Sequence, residues 1–419
     1  MIAFFEALHY RCLRYVQRPL GRMQILIGPN GSGKTTFLDA LGFLGTLVRD
    51  GLHAAFEERT TNPVDLVWGR NPDLPVELAI EARLPPQLAS KFRGMDFRYV
   101  RYEIQLVFEQ HSYTPKIREE KALLLRDEHP RRDPPDLFPE MRSPPKSVLR
   151  PKKPSQRTVF RKVPGGNDNY YPEVRQTSWK GWMLSQQLGP SRSTFANLFE
   201  DESRFPATTW LRSLLREGLQ RLTLNSLLLR RASPPGAGRR YLPDGSNLPW
   251  VIARLQRETP ERFERWLEHV ATAIPEFAAL RVVERPDDRH AYVVVRYKNG
   301  LEAPCWTVSD GTLRFLALTI LAFLPDATGI YLIEEPENGI HPTAIEPLYQ
   351  ALASVYDGQV LMATHSPVLL AVAQVDQLLC FAKTPEGGTD IVRGDEHPIL
   401  REWRREVSLG DLFAAGILG

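Results

Sequence analysis

Short apolar runs that stop abruptly at glycine, acidic or hydroxyl residues set the rhythm of this chain. Residues 23–27 read Met-Gln-Ile-Leu-Ile, residues 330–333 Ile-Tyr-Leu-Ile and residues 359–363 Gln-Val-Leu-Met-Ala. Runs this short and this apolar predict strands buried on both faces of a parallel sheet. Residues 102–108 and 291–297 alternate apolar and polar positions and predict half-buried strands. Helical spacing marks residues 37–41, 248–257, 261–274 and 315–324, and the stripe Trp210, Leu211, Leu214, Leu215, Leu219 and Leu222 predicts a packing helix within 195–231. Strands interleaved with helices indicate an α/β fold.

The first buried strand runs straight into Gly28-Pro29-Asn30-Gly31-Ser32-Gly33-Lys34-Thr35-Thr36. The spacing Gly-x-x-x-x-Gly-Lys-Thr lets successive backbone N–H groups curl around a phosphate, which requires residues without a Cβ at the tight positions. In such a loop Lys34 reaches the β- and γ-phosphates and Thr35 holds Mg²⁺. The helix opening after Gly33 turns its positive end toward the same anion.

The second buried run delivers Glu334-Glu335-Pro336-Glu337 at its tip. Ligands of parallel α/β sheets bind beyond the carboxyl ends of the strands, so Glu334 is expected to hold Mg²⁺ and Glu335 to act as the catalytic base that activates water. The third run ends in Thr364-His365-Ser366-Pro367. A neutral His365 imidazole at a strand tip suits contact with a γ-phosphate or with the attacking water. Residues 307–314 read Thr-Val-Ser-Asp-Gly-Thr-Leu-Arg ahead of an apolar helix; Ser309 and Asp310 are good N-cap residues, and Gly311 permits close approach of a phosphate.

The segment from Ser309 to Arg314 resembles the signature motif of ABC-type ATPases, and phosphate loop, signature, acidic strand and histidine follow one another in ABC order. The chain specifically resembles the soluble branch of that family related to SMC and RecF proteins and to the ATPase half of OLD-family nucleases, often filed as prokaryotic AAA-type or predicted ATPases. Further likeness lies in the runs 333–342, Ile-Glu-Glu-Pro-Glu-Asn-Gly-Ile-His-Pro, and 244–249, Asp-Gly-Ser-Asn-Leu-Pro, and in the tail 409–419. Val308-Ser309-Asp310-Gly311-Thr312 replaces the Leu-Ser-Gly-Gly-Gln of transporters, and Glu334 stands where transporters carry Asp. Both changes suit the SMC-like and OLD-like branch.

The resemblance implies an ABC-type P-loop ATPase head with a mixed sheet, interrupted by a basic, Pro-rich and helical subdomain. It implies ATP and Mg²⁺ as cofactors, held by residues 28–36, with hydrolysis to ADP and phosphate. Ser309, Asp310 and Gly311 would complete the nucleotide site of a facing subunit, so the heads would pair head to tail as a homodimer or higher oligomer. A separate nuclease or toxin chain is the implied effector, in phage defence or DNA maintenance. The competing reading is the nucleotide-binding subunit of a transporter. The glutamine loop is not located: Gln105 sits in an alternating run, which alone does not make it a ligand.

Composition shifts after residue 110, giving expected boundaries of 1–110 for the first half of the core, 111–240 for the insertion and 241–419 for the second half. Residues 130–164 hold nine prolines, and residues 142–162 hold eight Lys or Arg and no acid. Proline at that density predicts an exposed, partly extended loop, and its charge, with Tyr170, Tyr171, Trp179 and Trp182 nearby, suits DNA or RNA; a surface insertion anchored by its aromatics is the competing reading, and docking onto an acidic protein partner would look the same. The stretch after His365 has no Asp-x-Asp pair, so two-metal nuclease chemistry is not expected in this chain. Cys12, Cys305 and Cys380 show no metal spacing, and together with a start unlike a signal peptide they point to the cytoplasm without membrane insertion.

Overall fold

The computed structural model describes residues 1–92, 94–126, 144–151, 153, 155–174, 184–238, 240–401, 403 and 407–418. Trp179 and Trp182, and Arg142 and Lys152 of the basic run 142–162, lie outside them. The chain forms two compact units: residues 1–21, 29–219 and 381–391 make the first, and residues 22–28, 220–380 and 392–419 the second.

The first unit is built on an antiparallel sheet of eight strands in the order β2 (Leu13–Pro19), β1 (Ile2–Tyr10), β4 (Val76–Arg83), β5 (Tyr99–Phe108), β6 (Pro115–Leu125), β7 (Gln156–Lys162), β8 (Asp168–Tyr170) and β9 (Leu184–Gln186). One face of the sheet is apolar and receives the helix Lys34–Asp50, with Phe5 against Phe37 at 4.9 Å and Tyr10 against Phe43 at 5.9 Å, both edge to face. The opposite face carries charge. In register, Glu81 opposes Arg101 and Glu77 opposes Gln105, and side chains two apart share a face.

Arg101 is completely buried and pairs with Glu6 at 2.5 Å, Glu81 at 2.8 Å and Glu103. Burial alone would lower the guanidinium's pKa; the carboxylates of Glu103, Glu6 and Glu81 reverse this and raise it. Residues 147–150 lie over this face. Val148 N–H and the Ser147 hydroxyl donate to Glu77, the Arg150 N–H donates to Glu103, and the Arg150 side chain pairs with Glu81 at 2.6 Å.

That arrangement corrects the expectation of an exposed basic loop in part: Lys146, Lys153 and Arg161 are exposed, whereas other cations turn inward. Residues 156–162 are strand β7, Lys162 is buried against Asp168 at 2.8 Å, Arg150 serves the internal network, and Arg157 donates to the Pro172 carbonyl. Arg150 and Lys162 are matched by carboxylates from other strands, a pairing that local composition does not reveal. Strands β6 to β9 continue the sheet begun by β1, β4 and β5, with β6 pairing β5 from Tyr99↔Leu125 to Phe108↔Pro115. Gln105 donates to Glu77 at 2.6 Å on the charged face.

In the second unit β3 (Met23–Ile27), β14 (Ile330–Glu334) and β15 (Gln359–Ala363) are parallel and adjacent in the order β14, β15, β3, with residues 378–380 of β16 (Leu378–Lys383) on the far side of β3. The whole sheet runs β10 (Leu219–Leu222), β14, β15, β3, β16, β17 (Thr389–Arg393). A smaller antiparallel sheet holds β11 (Phe277–Glu284), β12 (Ala291–Tyr297) and β13 (Glu302–Pro304). The helices Leu248–Glu258, Pro260–Ala273, Asp310–Thr319 and Ile345–Ala353 enclose one apolar core with the central strands. At its centre Trp266 is fully buried, its indole N–H satisfied by Thr319 at 3.0 Å.

The predicted leucine-rich helix is shorter than its stripe. Pro206–Ser213 is α-helical, Leu214–Gly218 forms a π-helical turn, and Leu219 and Leu222 lie in β10. Spacing by three places residues on one face of a helix, and in this case it continued across an element boundary by coincidence. Among the described residues no helix is long and apolar enough to cross a membrane.

Candidate nucleotide site

The glycine-rich loop leaves β3 with positive φ at Gly28 (139°), Gly31 (73°) and Gly33 (107°), and the helix that follows runs seventeen residues from Lys34 to Asp50. Gly33 is required twice over: its backbone is left-handed, and a Cβ there would lie 2.2 Å from Thr389 Oγ1 and 3.1 Å from Cys12 Sγ. Thr389 also donates its hydroxyl to the Ser32 carbonyl at 2.9 Å and its N–H to the Cys12 carbonyl at 2.9 Å. The loop is therefore braced from behind. Lys34 is only 6 % exposed, with Nζ on the Pro29 carbonyl at 2.9 Å, while Thr35 is exposed at the first turn.

These features fit a nucleotide phosphate. The backbone is shaped by three positive-φ glycines, a lysine is held at the loop, the Ser32 hydroxyl is buried without a protein partner, and a long helix begins there. Among the described residues no group of three or more His, Cys, Asp or Glu is placed to hold a metal.

The parallel register aligns the other candidates. Glu334 opposes Ala363, and Ala363 opposes Leu26, so Glu334, the Thr364-His365 step and the entry to the loop at Gly28 share one edge of the second unit's sheet. Glu335 follows Glu334 with φ of 46°, a left-handed conformation rare for a glutamate. Its N–H donates to the Ala363 carbonyl at 2.8 Å, its own carbonyl accepts from Asn338 N–H at 3.0 Å, and its Oε2 accepts from the Asn338 carboxamide. Strain held in place by three bonds is characteristic of a functional position.

Sequence reasoning gave Glu337 no role of its own. Its Oε1 accepts from the Thr364 hydroxyl at 2.6 Å and from the His365 N–H at 3.2 Å, so it ties the loop after β14 to the tip of β15. The spelling Glu-Glu-Pro-Glu offers three carboxylates; only the strand register shows which one bridges. Arg221 of β10 was also missed and pairs with Glu334 at 2.5 Å.

Ser309 caps the helix Asp310–Thr319, accepting from Thr312 N–H at 3.2 Å. Asp310 turns toward its own unit, accepting from the Ser226 hydroxyl at 2.7 Å and lying 3.8 Å from Arg230. Gly311 packs directly on the turn after Glu335: a Cβ there would stand 2.1 Å from the Gly339 carbonyl oxygen. The signature segment and the acidic turn thus touch within one chain, a contact between residues 28 apart that no local pattern announces.

The three sheets with their helices make the mixed α/β fold of SMC-type P-loop ATPase heads. The fold is similar to an SMC head bound to the C-terminal winged-helix domain of ScpA (TM-score 0.52, 14% identity, covering 93% of this chain and 97% of that one). It is similar also to an SMC head with an extended coiled coil bound to the C-terminal domain of ScpA from Pyrococcus furiosus (TM-score 0.51, 12% identity, 93% and 95%). A family model described as "AAA domain, putative AbiEii toxin, Type IV TA system" matches residues 24–371, and the chain belongs to that family. No curated protein matches it.

Proposed function

We propose that this protein is an ATP-hydrolysing switch whose heads pair around nucleotide and control a separate effector chain. The observation that carries the reading is the strained, bonded Glu335 at the same sheet edge from which the phosphate loop departs.

In this reading residues 28–36 cradle ATP, with Lys34 on the β- and γ-phosphates. Thr35 and Glu334 would hold Mg²⁺, which supplies charge neutralisation on the phosphate oxygens. Glu335 accepts the proton of the attacking water, oriented by Asn338, and His365 contacts the γ-phosphate or that water. Ser309, Asp310 and Gly311 face the nucleotide of a second copy. A γ-phosphate present in only one state then supplies the differential binding that shifts the paired and unpaired populations.

The effector is a nuclease or toxin chain in prokaryotic phage defence or DNA maintenance. The family description, which names a toxin of a toxin–antitoxin system, and the SMC heads seen with a partner domain support this direction. Direct nucleic-acid binding through residues 142–162 has weaker support, because Arg150, Arg157 and Lys162 are engaged internally.

Purified protein should bind a fluorescent ATP analogue and release phosphate from ATP. Lys34→Ala should lose binding, and Glu335→Gln should keep binding while turnover falls at least 100-fold. Turnover unchanged in Glu335→Gln would remove that residue from the chemistry.

A further inference from the structure

We propose that Arg221 is a displaceable counter-ion that competes with Mg²⁺ for Glu334 and so sets how strongly metal and nucleotide binding are coupled. The proposal rests on the reading of Glu334 as the metal-holding carboxylate. Arg221 Nη2 stands 2.5 Å from Glu334 Oε1, and it comes from β10, the strand beside β14 at the sheet edge.

Two properties make the contact an exchangeable one. The side chains are 42% and 30% exposed, and exposed ion pairs are weak because water and salt screen them. A guanidinium also has five N–H donors, no acceptor, and a charge it does not lose near neutral pH. It cannot join a metal shell. The Arg221 charge on Glu334 Oε1 therefore weakens the pull of that carboxylate on a second cation or on a metal-bound water.

The surrounding carboxylates explain why a cation sits there. Glu334, Glu335 and Glu337 crowd one strand tip within four residues. Asn338 serves Glu335, and Thr364 with the His365 N–H serves Glu337, whereas Glu334 takes a full positive charge from Arg221. Mg²⁺ brings the same complement to the same carboxylate with more charge, so the two cations compete for it.

The strand carrying Arg221 is not an ordinary edge. It leaves the π-helical turn Leu214–Gly218, a geometry concentrated at functional positions. In the first unit, Leu219 and the Leu215 carbonyl each lie 3.2 Å from where a Cβ on Gly45 would stand, in the helix that follows the phosphate loop. Arg221 is two residues further along the chain.

The test compares affinity for mant-ATP in excess EDTA with that in saturating Mg²⁺, the ratio being the metal enhancement. Arg221→Ala should raise that enhancement about two- to five-fold over wild type, the range released by an exposed ion pair. Arg221→Lys, which keeps a cation, should stay near wild type. In Glu334→Gln the enhancement should fall, and adding Arg221→Ala to it should change nothing further, because the competition has no object. An enhancement unchanged in Arg221→Ala while the melting temperature moves would make the pair merely structural, and a reduced enhancement would make Arg221 an aid to metal binding; either result overturns the proposal. If wild type binds no mant-ATP under either condition, the nucleotide reading itself fails and this inference with it.

Discussion

Asn338 holds Glu335 at two points: its carboxamide donates to Glu335 Oε2, and its N–H donates to the Glu335 carbonyl at 3.0 Å. One residue thus fixes both the orientation of the carboxylate and the left-handed turn that presents it. Asn338→Ala should lower the turnover number about ten-fold while ATP affinity stays within two-fold, since only a transition-state contact is disturbed. Steady-state phosphate release together with mant-ATP binding separates the two parameters. Lost affinity with unchanged turnover would assign Asn338 to nucleotide binding instead.

Gly311 and the Gly339 carbonyl meet so closely that a methyl group cannot be placed between them. Because the obstacle is backbone, Gly311→Ala must move the turn containing Glu335 or the start of the helix Asp310–Thr319. Turnover should fall at least ten-fold while a single chain still binds ATP. Wild-type turnover in this variant would show that signature and acidic turn are independent.

The Arg101 cluster predicts a large stability effect far from the nucleotide. Arg101→Met leaves Glu6, Glu81 and Glu103 buried without their shared cation. Breaking a buried ion pair by removing one partner costs about 3–5 kcal/mol, and urea unfolding followed by tryptophan fluorescence measures it. A change below about 1 kcal/mol would mean that Lys121 and Arg150 suffice to neutralise that face.

Glu173 predicts a pH dependence. Burial pushes its carboxyl up to about 7 from an ordinary 4.5, against the pull of the Thr208 hydroxyl and the N–H groups of Ala207 and Thr208. The folded state therefore holds this proton more tightly than the unfolded chain. The contribution to stability is complete below about pH 4.5 and is lost as pH rises toward 7. The melting temperature of wild type relative to Glu173→Gln should fall between pH 5 and pH 7.5, and a constant difference would contradict the assignment.

The phosphate loop and the two acidic or histidine-bearing strand tips were legible because their chemistry is local. A strand, a fixed glycine spacing and a helix, or a buried run ending in acids, need only a few adjacent residues. What escaped depends on pairing between distant segments. Arg150 and Lys162 read as solvent-facing until Glu81 and Asp168 arrive from other strands. Leu219 and Leu222 fit a helix until the turn before them breaks it. Glu337 and Arg221 acquire roles only when β15 and β10 take their places beside β14.

The account's central claim is that ATP joins two copies of this chain, and sedimentation of Glu335→Gln with and without Mg²⁺ and ATP tests it most directly. The predicted result is a monomer that becomes a dimer only with Mg²⁺ and ATP, and that stays a monomer when Ser309→Arg is added although ATP still binds. Dimers of the Ser309→Arg variant with ATP, or monomers under every condition despite bound nucleotide, would contradict it.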